Sequence, residues 1–193
     1  MRNKIFYILA LFTMVVFSSQ VQAQDDHDDV HNLTVDIPEV ALLDLETEGD
    51  KSIYLGPKAP GEAGNALDFS KEQNTDLWIN YSSVVGSKTE PSRDITAQIT
   101  SGEVPEGLVL SVQAGKDAGM GDGKMGSAKD MIRLDDNAQE IITGVGSAYT
   151  GNGPTRGHQL TYVLSSDKKK GSYAKLDFDQ SSTLAITYTL TDQ

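Results

Sequence analysis

Oily and polar residues alternate along most of this chain. Leu33, Val35 and Ile37 alternate with Thr34 and Asp36 until Pro38 stops the run. Ile53 and Leu55 repeat the pattern ahead of a Gly- and Pro-rich stretch at 56–64. Further sets follow: Leu77, Ile79 and Tyr81; Ile95, Ala97 and Ile99; Leu108, Leu110 and Val112; Leu160, Tyr162 and Leu164. The last is Leu184, Ile186, Tyr188 and Leu190. A period of two places alternate side chains on one face of a pleated strand. Residues 131–134 and 140–142 are weaker strand candidates. The run VALLDL at 40–45 reads as strand or as a short turn of helix. No window carries an apolar stripe at helical spacing.

Gly, Pro, Asn, Asp and Ser fill the gaps between these runs, as turns require. The expectation is an all-β fold, an antiparallel immunoglobulin-like β-sandwich of about seven to nine strands. No repeat unit or long linker divides residues 33–193, so they read as one domain.

The N-terminus follows a different rule. Arg2 and Lys4 precede an apolar run at 5–17, broken only by Thr13, and residues 18–23 are polar and end in Ala23. This order is that of a secretory signal peptide cleaved after Ala23. The run is too short for a membrane-spanning helix, which needs roughly 20 apolar residues. The expected location is therefore secreted, in a periplasm or at an extracellular surface. Residues 24–32 (QDDHDDVHN) read as an acidic flexible leader.

Charge narrows the partners. The full sequence carries a net charge of −12, and loss of Arg2 and Lys4 leaves the remainder more acidic still. Such a chain repels nucleic acid and anionic lipid, so neither is expected. There are 0 cysteines, so no disulfide can staple the domain and its core must hold it.

The chemical motifs are sparse. The leader gathers Asp25, Asp26, His27, Asp28, Asp29 and His31, but nothing there fixes a coordination geometry, and no metal is expected. The Gly-rich stretch 114–128 lacks both the calcium-loop spacing and the setting of a phosphate cradle, and reads as a loop. Residues 150–157 read as a turn, and Lys168, Lys169 and Lys170 as an exposed tip. His158 begins a strand without a nucleophile beside it, so a structural role is expected, with no enzyme activity and no cofactor. Asn32-Leu33-Thr34 and Asn80-Tyr81-Ser82 match the glycosylation acceptor triplet.

Trp78 is the single tryptophan. With Leu77, Ile79 and Tyr81 facing inward, Trp78 and Asn80 point to the other face of their strand. An exposed indole beside an amide is a platform for a sugar ring; a covering loop would make it structural instead. Polysaccharide is thus the alternative ligand.

The signal peptide, the alternating N-terminal segment, the acidic cysteine-free β domain and the terminal run 184–191 (LAITYTLT) together resemble bacterial exported pilin-like proteins. The nearest in style are the spore-coat-U and chaperone–usher subunit groups. A weaker similarity links 186–192 to the WxL cell-wall domain, with Tyr188 where that family carries Trp. The resemblance implies assembly or surface attachment through β-strand pairing, by self-association or with another surface protein, and without catalysis. The candidates for strand exchange are Leu33, Val35 and Ile37 on one side and Leu184, Ile186, Tyr188 and Leu190 on the other. For the first set the favoured expectation is plainer: the domain's own first strand.

Overall fold

The computed structural model describes residues 29–192; the expected signal peptide and leader residues 24–28 lie outside them. A compact unit runs Ile37–Gln193. Residues 29–36 belong to a separate unit and have no regular secondary structure.

The strands are Val40–Glu46 (β1), Gln73–Asn74 (β2), Trp78–Val84 (β3), Arg93–Ser101 (β4), Leu108–Asp117 (β5) and Asp122–Gly123 (β6). They continue with Ser127–Ala128 (β7), Ile132–Arg133 (β8), Gln139–Val145 (β9), Ala148–Tyr149 (β10), His158–Ser166 (β11) and Ala185–Asp192 (β12). A single 3₁₀ turn, Ser172–Lys175, follows β11. Among the described residues no helix is long and apolar enough to cross a membrane.

Every pairing is antiparallel, in an 8-stranded and a 4-stranded sheet. The larger sheet is ordered β6-β10-β3-β11-β5-β8, with β1 on β3 and β2 on β11; the smaller is β12-β4-β9-β7. The fold is the all-β sandwich that the alternation implies.

One core lies between the sheets. Ile79, Val112 and Leu160 from the larger sheet meet Ile95, Ala97 and Ile142 from the smaller, all at 0% exposure. Tyr162 of β11 and Tyr188 of β12 join hydroxyls across the core. Burial pushes the Tyr162 hydroxyl up to about 12 and raises Tyr188 well above its ordinary range.

Two glycines let backbones approach where no side chain fits. A Cβ on Gly121 would lie 1.7 Å from the Tyr149 carbonyl oxygen, and one on Gly157 would lie 2.2 Å from that of Ile79. Gly157 also has φ 64, a conformation that costs glycine little.

The core holds one unexpected cation. Arg93 opens β4 with its side chain at 0% exposure. Its Nε donates to Asp192 Oδ1 (2.6 Å), and its Nη2 donates to Glu39 (2.5 Å) and Glu90 (3.4 Å). Its Nη1 donates to the Val40 and Val84 carbonyls and to Ser83 Oγ. One guanidinium thus ties β1, β3, β4 and β12 together at one end of the sandwich. The planar fork suits Arg and no other side chain. Glu39, Glu90 and Asp192 bring their oxygens within 4.8 Å of one another, and Arg93 supplies the positive charge among them.

Several expectations need correction. Residues 33–37 form no strand; the first strand is β1, which settles the ambiguous run at 40–45. Ile53 and Leu55 lie outside any strand but still pack on the core. The stretch 114–128 is only partly loop, since β5 continues to Asp117 and β6 and β7 follow. Of the weak candidates, 131–134 holds the two-residue β8 and 140–142 falls within β9.

Candidate functional site

Four regions bear on function, and the first is the segment before β1. Val30, Leu33, Val35 and Ile37 are 86%, 80%, 78% and 74% exposed. A strand is stable only with a partner for its backbone and a cover for one face. Among the described residues this segment has the strand pattern, forms no strand and leaves its apolar side chains exposed. Their counterparts at the other end, Leu184, Ile186, Tyr188 and Leu190, are partly buried and packed on the core. Ile186, Tyr188 and Leu190 lie in β12; Leu184 precedes it.

The second region surrounds Trp78. As expected from the alternation, Leu77, Ile79 and Tyr81 are buried at 4%, 0% and 3%, and Trp78 takes the outer face. The indole is half-buried in a groove of about 460 Å³ with Asp50, Asp76, Pro154, Thr155 and Gln159 on its walls. Thr155 has φ 62, a strained value for a β-branched residue. Asn80 does not accompany Trp78 at the surface. It is only 5% exposed and its Nδ2 donates to the Gly153 carbonyl (2.8 Å) beneath the 150–157 loop. The triplet Asn80-Tyr81-Ser82 is therefore enclosed within β3, whereas Asn32-Leu33-Thr34 is exposed.

The third region is polar and internal. His158, at 1% exposure, places Nδ1 2.8 Å from the Gly115 carbonyl and Nε2 2.9 Å from the Tyr81 hydroxyl. The Tyr81 hydroxyl also donates to the Met125 carbonyl. A carbonyl only accepts, so Nδ1 carries the proton, and the one Tyr81 hydroxyl proton is shared between the Met125 carbonyl and the Nε2 lone pair. The expected structural role for His158 fits this enclosure.

Burial lowers the His158 pKa below its ordinary 6.5, against the Gly115 hydrogen bond and the Asp117 carboxylate, which both raise it. A depressed imidazole stabilises the fold fully above the unfolded pKa and loses that contribution as pH falls toward the folded one. Chemical-denaturant midpoints should therefore fall more between pH 7.5 and pH 5 in the natural chain than in His158→Gln. Equal falls in the two proteins would show that His158 does not titrate with unfolding.

The fourth region is a groove of about 590 Å³ where β4 and β8 end and β5 begins, lined by Val104, Leu110 and Leu134 with Asp135 and Asp136. Asp135 is held below the usual carboxylate range, chiefly by the Asn137 backbone hydrogen bond.

Taken together, these features define a cysteine-free β-sandwich with an uncovered apolar lead-in segment and one half-exposed indole. Set against family models, curated proteins and solved structures, the chain finds no match.

Proposed function

We propose that this is an exported, non-enzymatic structural or adhesive surface protein, a fibre or matrix subunit that assembles by β-strand pairing. One observation carries the reading. Leu33, Val35 and Ile37 keep strand spacing while their side chains stand in solvent. Covering a Val, Leu or Ile stabilises by about 1.5–3 kcal/mol. Ordering a residue of backbone costs about 1–2 kcal/mol. The two contributions nearly cancel over such a segment, so docking needs a partner that also offers unpaired N–H and C=O groups. An open sheet edge is that partner.

The enclosure of His158, with both ring nitrogens engaged, supports a structural rather than a catalytic part for it. The acidic surface continues to speak against nucleic acid. The test compares residues 24–193 with a form starting at Pro38 by size distribution over a range of concentrations. Oligomers from the longer form alone are expected, and identical monomers from both would refute the reading.

A second reading, an extracellular carbohydrate-binding module, is favoured by the groove at Trp78. Its half-exposed indole lies beside Asp76 and Gln159, an aromatic face with hydrogen-bonding neighbours. Because Trp78 is the single tryptophan, its fluorescence reports this groove alone. A saturable change with at least one polysaccharide is the expected result on this reading; a flat response across a broad panel removes it.

A further inference from the structure

The groove at Trp78 is one-sided in charge. Its charged lining residues are Glu48, Asp50 and Asp76, and no Lys or Arg stands among the described residues that line it. Lys51, next to Asp50, pairs with Asp44 at 3.3 Å, and neither of the two lines the groove. Hydrogen bonding is one-sided as well. The Asn74 amide donates to Asp76 Oδ2 at 2.6 Å, and Gln159 Nε2 donates to the Thr75 carbonyl at 2.9 Å. The backbone N–H groups of Gly49, Ser52 and Asp76 donate to side chains of their own turns. These donors are engaged within the fold, while each carboxylate keeps lone pairs for a guest.

The indole adds a preference of the same sign. An aromatic face attracts a cation, and tryptophan does so best. Trp78 is held in place by its register with Gln159 on β11, and half of it stays open. Under the loop that carries Pro154 and Thr155, Asn80 is 5% exposed and its Oδ1 meets no donor of the described residues. The surplus of acceptors thus continues beneath the wall. Among the described residues, only Glu39, Glu90 and Asp192 bring three such oxygens within 4.8 Å of one another. The groove's carboxylates are too spread for a metal ion and suit a larger cation.

We propose, resting on the carbohydrate reading above, that this groove takes a sugar bearing a free amine. It would prefer a polymer of unacetylated hexosamine over neutral or anionic polysaccharides. The apolar face of the sugar ring would stack on the indole, and its ammonium would donate to Asp50 or Asp76. Carboxylates alone would hold any cation; the indole face selects one carried on a ring. Acetylation removes the charge, and an acidic sugar meets three carboxylates of its own sign.

Glucosamine oligomers, free or N-acetylated, and glucose oligomers of equal length are titrated into residues 24–193 while Trp78 fluorescence is followed. The free amine is expected to bind about tenfold tighter than either, and to weaken with added salt. Asp50→Asn with Asp76→Asn should bring its affinity down to that of the neutral sugar. Each amide oxygen still accepts the bond from Ser52 or Asn74, so only the charge is lost. Asp177→Asn with Asp179→Asn, exposed in the loop before β12, removes equal charge and should leave the affinity unchanged. An equal loss there overturns the proposal, since any acidic protein attracts a polycation. Equal affinity for amine and neutral oligomers overturns it too, but leaves the carbohydrate reading standing. No fluorescence response to these or any other polysaccharide brings down that reading as well.

Discussion

Replacing Arg93 with Met is expected to lower the free energy of unfolding by about 3 kcal/mol. The buried guanidinium donates to the Val40 and Val84 carbonyls and to Ser83, near the ends of β1 and β3. An unsatisfied buried acceptor costs about 1–3 kcal/mol. The carboxylates contribute less than a sealed ion pair would. Glu39, Glu90 and Asp192 are 65%, 36% and 53% exposed and rehydrate once released. Their mutual repulsion, with oxygens within 4.8 Å, adds to the loss. Arg93→Lys should recover only part, because an ammonium cannot hold both carbonyls and all three carboxylates in one plane. Guanidinium titration measures the effect, and a loss under about 1 kcal/mol would mean that water replaces the fork.

Removal of residues 24–37 is expected to abolish assembly while moving the unfolding free energy by no more than about 0.5 kcal/mol. The two effects separate because, among the described residues, the core cluster contains none upstream of Leu43. A tail that carries no core contact can be lost without loosening the fold. Assembly of the longer form should also strengthen with added salt. Like-charged subunits repel, and the screening distance shortens to about 10 Å at 0.1 M. A large drop in stability on truncation would place the segment inside its own domain instead.

The alternation was sufficient to locate β3, β4, β5, β11 and β12 and to orient Leu77, Ile79 and Tyr81 inward. It was blind wherever side-chain spacing and backbone pairing part company. Residues 33–37 have the spacing of a strand, but spacing says nothing about whether a neighbouring edge exists. β1 escaped firm assignment because Ala41, Leu42 and Leu43 break the two-residue rhythm. For Asn80 the face was right and the exposure wrong: the 150–157 loop that roofs it comes from a distant part of the chain. Arg93 leaves a trace in the same pattern. It stands two residues before Ile95, on the same parity as Ile95, Ala97 and Ile99, so a charge on the inner face was visible in the pattern. Of its acidic partners Glu90 lies three residues before it, while Glu39 and Asp192 come from distant segments that no local window contains.

The tyrosine contact across the core bears on how a chain of subunits would behave. Tyr188 anchors β12 to β11 of the opposite layer, so the two layers are pinned together and an arriving strand would displace neither. Each joint would then form without refolding either molecule, and its strength would not depend on how many joints came before. Polymers built that way grow and shorten one subunit at a time, and dilution alone returns them to single molecules.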